Sequence, residues 1–219
     1  MTFFIVRFAL AAVTFAVGAV IIKKIRTPDV AVARIFLIVL VMAQTSVLCL
    51  FPVENYLFSF ESAEKAYHYA NSGEIETVIE GEDSEFVVGK NDDAYVYSII
   101  PKTEHGFKAS VGADLKRVFY DFNNGIKVEI YQHRSIDDFY VSVMDTNGGD
   151  FSAKDNVNSK FYPVAEEIKA LGKTYYTYYA FINAENGRYE LTVDGEKAAE
   201  LDALGGWYYQ GRKVNRGDA

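Results

Sequence analysis

A serine and a lysine three residues apart are the first pair in this chain that could do chemistry. In Ser62-Ala63-Glu64-Lys65 the spacing places both side chains on one helical turn, where a lysine can activate a serine nucleophile, as in penicillin-recognising enzymes. The partner motifs of those enzymes, S-D-N and K-T-G, do not occur in the sequence. We therefore favour a helix cap followed by a solvated face.

Metal ligands with the usual spacing do not stand out either. The three histidines are scattered along the chain: His68, His105 and His133. The only cysteine, Cys49, lies in an apolar segment, which argues against zinc. Acidic residues 74–85 and 145–150 offer oxygens of the kind that calcium prefers, but the second stretch departs from the EF-hand pattern and the first alternates along a predicted strand. We therefore predict no metal, no cofactor and no catalytic residue, with a hydrolase that uses paired carboxylates as the alternative.

Tyrosine is the one residue type used unusually often. All 16 tyrosines follow the first 55 residues. Four of them share one predicted strand, and these are our candidate binding residues: Tyr175, Tyr176, Tyr178 and Tyr179. Because successive side chains of a strand point to opposite faces, both faces carry tyrosine. This is typical of a central strand packed on both sides, and an exposed aromatic face for a glycan, peptide or protein stays open as the functional alternative.

Two apolar segments near the N-terminus predict the cellular location of these residues. Residues 3–22 are about 20 in number, enough at roughly 1.5 Å per residue to cross a hydrocarbon core of about 30 Å. Residues 35–51 reach a similar length if the segment begins near Val30. We predict two transmembrane helices that anchor the chain in the lipid bilayer through residues 3–51.

The charge bias around the two segments predicts the orientation. Residues 23–34 form a short loop with four basic residues: Lys23, Lys24, Arg26 and Arg34. Residues 52–64 contain three acids and no base. Since basic loops stay in the cytoplasm, we predict a two-pass protein of the cell membrane with both termini extracytoplasmic. Arg7 lies on the outer side in this topology, near the start of its segment, and we expect it to snorkel to the headgroups.

For the rest of the chain we predict an extracytoplasmic β-rich domain over residues 52–205 and a C-terminal tail over 206–219. The fold class is α+β with mainly antiparallel strands and two short helices. The first helix is expected at 63–71, capped by Ser62, and the second from Pro163 to its stop at Gly172. Strands are expected at 75–80, 84–88, 94–100, 115–122, 126–133, 139–144, 173–183, 188–193 and 196–201.

Alternation in the middle strands predicts a sheet with one buried and one wet face. Val128 and Ile130 alternate with Lys127 and Glu129, which we expect to face water. Residues 145–160 are rich in Gly, Asn, Asp and Ser and predict an exposed loop.

Three stretches of the chain carry a family resemblance: FESAEKA at 60–66, VIEGEDS at 78–84 and IIPK at 99–102. They resemble a segment of uncharacterised two-span membrane-anchored proteins of Gram-positive bacteria, over about residues 58–102. The resemblance implies a bacterial cell membrane and carries no activity.

The net negative charge of the chain limits the classes of partner that it can bind. A net charge of −8 argues against nucleic acid. We expect a membrane-anchored extracytoplasmic binding module with an envelope protein or glycan as partner. Besides the hydrolase, the other alternative is a small accessory subunit of a membrane complex, in which Gln44, Thr45 and Ser46 form a polar seam between helices.

Overall fold

The computed structural model describes residues 2–25, 30–92, 94–112, 114–168, 172–183, 188–201, 207–209 and 212–214. Its helices are α1 (Thr2–Ile25), α2 (Val30–Leu50) and α3 (Ala63–Ala70), with a 3-10 helix, η1, at Val53–Tyr56. Its strands are β1 (Glu74–Glu80), β2 (Ser84–Asn91), β3 (Ala94–Thr103), β4 (Gly106–Phe107), β5 (Leu115–Asn123), β6 (Ile126–His133), β7 (Phe139–Asp145), β8 (Ala153–Asp155), β9 (Tyr162–Ile168), β10 (Lys173–Ile182), β11 (Tyr189–Val193), β12 (Glu196–Leu201), β13 (Trp207–Tyr209) and β14 (Arg212–Val214). The predicted α+β class with mostly antiparallel sheets is confirmed.

The first two helices form an apolar hairpin that stays largely outside the β domain. Both are long and apolar enough to cross a membrane, over Phe3–Lys24 and Val30–Leu50. Only 11% and 6% of the residues in their apolar windows are buried. They are therefore not core helices of the domain, because a core helix would bury most of its side chains.

Local signals predicted the short elements well. The Ser62 hydroxyl accepts a hydrogen bond from the Lys65 backbone N–H at 3.3 Å and so caps α3. Asn124 and Gly125 have φ values of 50° and 85°, the left-handed pair that a two-residue hairpin turn between β5 and β6 requires. The nine predicted strands are all present, with ends shifted by a few residues.

Three antiparallel sheets are stacked. The first has the order β1-β2-β3-β4, the second β5-β6-β7-β10-β9 and the third β12-β11-β8. Between the first and second sheets lies an aromatic-rich cluster that includes Phe86, Tyr131, Tyr140 and Tyr179. Between the second and third lies an aliphatic cluster that includes Val141 and residues of β11 and β12, and α3 covers the outer face of the first sheet through a third cluster.

The stacking contradicts the prediction that one face of the middle sheet is wet. Glu129 is 5% exposed and Ser142 is also buried, on the face that carries Tyr131 and Tyr140. Glu129 is held there by ion pairs with Arg117 and Lys127. Alternation identified two different faces correctly, but the polar face is covered by the first sheet.

The second predicted helix is wrong. Residues 162–168 form β9, which pairs antiparallel with β10 along its whole length. Exposure alternates from residue to residue, with Val164 buried between the exposed Pro163 and Ala165. Pro163 is tolerated because β9 is an edge strand, where a missing N–H costs no ladder hydrogen bond. The helical stripe that ends at Leu171 lies partly outside the described residues.

The predicted loop over residues 145–160 is wrong in part. It contains β8, which pairs with β11 in the third sheet, and Phe151 is buried. Phe151 packs edge-on against Tyr178 with ring centroids 4.8 Å apart. The segment therefore carries the chain from the second sheet to the third.

The C-terminal stretch, predicted as a tail over 206–219, contains the hairpin of β13 and β14, and β13 lies against β5.

Candidate functional site

The four candidate tyrosines of β10 are divided between the two faces of a central strand, as their alternation predicts. Tyr179 is 1% exposed and belongs to the aromatic cluster, where its hydroxyl lies 3.2 Å from that of Tyr97. Burial raises the pKa of Tyr179, so its hydroxyl stays protonated at neutral pH. Tyr179 is thus a core residue, and it is not available to a ligand.

Tyr175 and Tyr176 are half-buried. The ring of Tyr175 lies beside Gly148, and the strand forms an isolated parallel bridge with Gly149 at this point. Tyr176 packs against the aliphatic cluster on the other face. The two tyrosines therefore lie on opposite faces of β10 and do not share a surface.

Tyr178 lines an open groove at the edge of the second and third sheets. Its hydroxyl donates a hydrogen bond of 2.5 Å to Asp150 Oδ1. The groove has a volume of about 600 Å³. We call it the Tyr178 groove, and its walls are Asp150, Phe151, Ser152, Ala153, Ser159, Phe161, Tyr178 and Asp194.

The two carboxylates of the Tyr178 groove are fixed by the protein. Asp150 accepts from Tyr178, and Asp194 Oδ1 accepts the Ser152 backbone N–H at 2.8 Å. Ser159 also lines the groove, and its buried hydroxyl has no hydrogen-bond partner within the described part of the chain. The groove therefore offers carboxylate oxygens and aromatic edges.

These groups can bind a ligand but lack the arrangement of a nucleophile with its base. The hydrogen bond to Asp150, together with burial, raises the pKa of Tyr178 to about 12, so the phenol is a donor and not a base at neutral pH. Among the described residues, none that lines the groove is a histidine, lysine or cysteine. The chemistry favours recognition of hydroxyl or amine groups, which can bond to carboxylates and stack on aromatic rings.

The other sequence candidates are dispersed. Lys65 forms an exposed ion pair with Glu61 instead of approaching the Ser62 hydroxyl, which caps α3. His133 is buried near the end of β6, and burial lowers its pKa. In the described ranges, no three histidine, cysteine or acidic side chains are grouped so that they could hold a metal ion.

A second polar cluster, missed by sequence reasoning, joins the apolar hairpin to the β domain. Arg7 of α1 is 1% exposed and forms a two-point ion pair with Glu54 of η1, one arm of which is 2.6 Å long. The Tyr69 hydroxyl of α3 donates a hydrogen bond to the same carboxylate at 2.5 Å. The guanidinium also lies over the ring of Phe3, 3.5 Å from its centroid. We call these four residues the Arg7 junction.

The Arg7 junction corrects the expectation that Arg7 snorkels. Its Nε donates to the carbonyl of Leu48 at 2.9 Å, near the end of α2, so the guanidinium points into the contact between hairpin and domain. A signal was present in the sequence, since a base near the start of the first apolar segment and an acid just after the second must lie at the same level when the helices are antiparallel.

The electrostatics of the Arg7 junction favour an ionised Glu54 that stays paired with Arg7. Burial of the Glu54 carboxyl opposes its ionisation, but the hydrogen bonds from Arg7 and Tyr69 outweigh burial and hold its pKa below the ordinary value. Burial, together with the Glu54 carboxylate, raises the pKa of Tyr69 to about 12. Glu54 is therefore ionised and Tyr69 protonated across the physiological range.

The chain was compared with family models, with curated proteins and with solved structures, and it matches none of them. The resemblance of residues 58–102 to Gram-positive membrane-anchored proteins stays a prediction.

Proposed function

We propose that this chain is a membrane-anchored binding module of a bacterial cell envelope, in which the hairpin of α1 and α2 spans the bilayer and the three-sheet domain works on the extracytoplasmic side. Its ligand is an envelope protein or glycan, taken up at the Tyr178 groove. The compartment and the binding activity are those predicted from the sequence. Of the four tyrosines predicted as binding residues, only Tyr178 belongs to the proposed site.

The observation that carries the proposal is the Arg7 junction. A domain joined to an anchor by a flexible linker would turn freely, whereas here α1, η1 and α3 meet in one buried ion pair with Tyr69 as a third partner. The domain is therefore held against the end of the hairpin. A fixed orientation suits a module that presents a groove at a defined height above a membrane.

Exposed side chains next to the junction support membrane placement. Tyr56 and Leu57 are 92% and 81% exposed at the end of η1, directly after α2. Large apolar and aromatic side chains that face water are unfavourable, but they are common where a chain leaves the hydrocarbon and enters the headgroup layer. These two side chains fit that layer.

The Arg7 junction also supports the proposed orientation. Arg7 opposes the positive-inside bias of residues 23–34, because it lies at the other end of the hairpin. Pairing with Glu54 neutralises its charge in the folded protein. The bias then rests on the basic loop alone, which favours a cytoplasmic position for that loop.

Thiol labelling in intact bacteria tests the orientation. Asn147 lies in the exposed turn after β7, and Thr27 lies in the basic loop. With Cys49 replaced by serine, Asn147→Cys should react with an impermeant maleimide and Thr27→Cys should react only after lysis. Labelling of Thr27→Cys alone in intact cells contradicts the orientation.

Photo-crosslinking tests the groove. A benzophenone amino acid at Ser152, inside the Tyr178 groove, should give an adduct with an envelope protein or glycan in intact cells. The same amino acid at Glu104, in the exposed turn between β3 and β4, is the matched control. Tyr178→Phe removes the bond to Asp150 and should reduce the adduct severalfold without changing expression. Equal adducts at both positions would show that the groove is not a binding site.

Two facts weigh on the alternatives. The walls of the Tyr178 groove supply two carboxylates, but both accept hydrogen bonds from the protein, which favours binding over hydrolysis. The hydroxyls of Thr45 and Ser46 bond to carbonyls one turn back in α2, at 2.8 and 2.9 Å. They are therefore less free to form a polar seam with another helix.

A further inference from the structure

A groove between α1 and α2 combines apolar walls with two cations at one end. It has a volume of about 670 Å³. Its walls follow helical spacing on both helices, so that two facing stripes enclose it; among them are Phe15, Ile22, Lys23, Arg34, Leu37 and Ile38. We call it the hairpin groove.

The two cations share one end of the hairpin groove. Lys23 lies in the last turn of α1, and Arg34 lies in the second turn of α2. Because the helices are antiparallel neighbours, both side chains belong to the end of the hairpin away from the β domain. Within the described part of the chain, no carboxylate lines the groove or pairs with either cation.

The two helices pack tightly within the length of the groove. Leu37 is buried against α1, where a Cβ atom at Gly18 would overlap its side chain. From Phe15 to Lys23 the helix rises about 12 Å, at roughly 1.5 Å per residue. The groove thus has apolar walls about a dozen ångströms long and two cations at one end.

We propose that the hairpin groove binds one anionic phospholipid, with the phosphate on Lys23 and Arg34 and the start of an acyl chain along Phe15 and Leu37. This rests on the proposed function, in which α1 and α2 span a bilayer with the basic loop on the cytoplasmic side. Charge complementarity selects the occupant, because cations between membrane helices at the cytoplasmic side bind acidic headgroups. A second copy of the chain fits poorly, since two hairpins inserted in the same sense bring like cations to the same level.

The test uses the full chain in detergent, with phosphatidylglycerol and phosphatidylcholine as probes and native mass spectrometry as the readout. Phosphatidylglycerol should bind one to one and more tightly than phosphatidylcholine. Lys23→Gln should weaken phosphatidylglycerol binding about fivefold, and the double change with Arg34→Gln about thirtyfold. Lys24→Gln is the matched control, because Lys24 has the same charge one residue away and does not line the groove. It should leave binding unchanged.

A second variant separates shape from charge. Ala19 lines the groove, and Ala19→Phe fills it without altering any charge. It should weaken phosphatidylglycerol binding while the β domain keeps its thermal transition. Equal binding of the two lipids, equal losses in Lys23→Gln and Lys24→Gln, displacement of the lipid by inorganic phosphate, or a lipid-free dimer would each overturn the proposal.

Flotation with phosphatidylcholine vesicles keeps the two proposals apart. A chain that does not float with any vesicle contradicts the membrane-spanning hairpin. A chain that floats but shows no preference for phosphatidylglycerol contradicts the lipid site alone.

Discussion

Replacing Glu54 by glutamine should release the β domain from the apolar hairpin. Arg7 and Glu54 are 1% and 4% exposed, so the change leaves a buried guanidinium without its counter-ion. Removing one partner of a buried ion pair typically costs 3–5 kcal/mol. We expect about 3 kcal/mol, the lower end of that range, because glutamine keeps one acceptor oxygen and Arg7 keeps backbone carbonyl acceptors such as that of Leu48. The equilibrium between docked and released domain should shift by more than a hundredfold.

Hydrogen exchange of the full chain in micelles measures this release. The amides of Asn55 and Leu57 bond to the carbonyls of Pro52 and Glu54, in η1 and its two flanking residues, so they exchange only when this segment opens. Their opening free energy should fall by about 3 kcal/mol in Glu54→Gln.

An exposed ion pair in the same chain is the control. Glu61 and Lys65 are paired one helical turn apart but mostly exposed, so Glu61→Gln should leave the opening free energy close to that of the wild type. A double replacement of Arg7 and Glu54 by leucine should recover most of the lost stability, because it removes both charges together. If Glu54→Gln changed the opening free energy no more than Glu61→Gln, the Arg7 junction would not hold the domain.

The remaining predictions concern the β domain. Tyr67→Phe should leave the free energy of unfolding unchanged or raise it, because the buried Tyr67 hydroxyl has no partner among the described residues. Tyr140→Phe should instead lower it by about 1–2 kcal/mol, because its hydroxyl loses a hydrogen bond to a β2 carbonyl. Chemical denaturation measures both values. Burial opposes ionisation of Glu129, but its cationic partners hold its pKa below the ordinary value. Its contribution to the stability of the folded domain is therefore present above the unfolded pKa of about 4.3 and is lost as the pH falls through the folded pKa. The stability difference between wild type and Glu129→Gln should therefore shrink only in acid, and a difference that is flat with pH would contradict this. A chain beginning at Pro52 should melt in one cooperative transition, because all three buried clusters of the domain lie after that residue. Calorimetry measures this transition. A broad, non-cooperative profile would mean that the hairpin completes the core.

Local chemistry in the sequence determined the elements that depend on near neighbours. The Ser62 cap, the left-handed pair Asn124 and Gly125, and the two long apolar segments each follow from interactions within a few residues or from the chain's own hydropathy. Such signals need no knowledge of the rest of the fold, and the corresponding elements were all predicted.

Tertiary structure decided the elements whose partners are far away. Residues 162–168 fit a helical stripe as well as an alternating strand, and the free edge of β10 selected the strand by offering seven paired positions. Glu129 looked like a solvent-facing residue because alternation distinguishes two faces but does not reveal that another sheet covers the polar one.

The candidate sites depend even more on the fold. Tyr178 was among four tyrosines that the sequence could not rank, and its groove exists only because residues 150–153 cross from the second sheet to the third and bring Asp150 and Asp194 to the same opening. Arg7 and Glu54 are 47 residues apart in the chain. Their pairing required the antiparallel packing of two helices, since a buried charge is tolerated only where the whole structure supplies its partner.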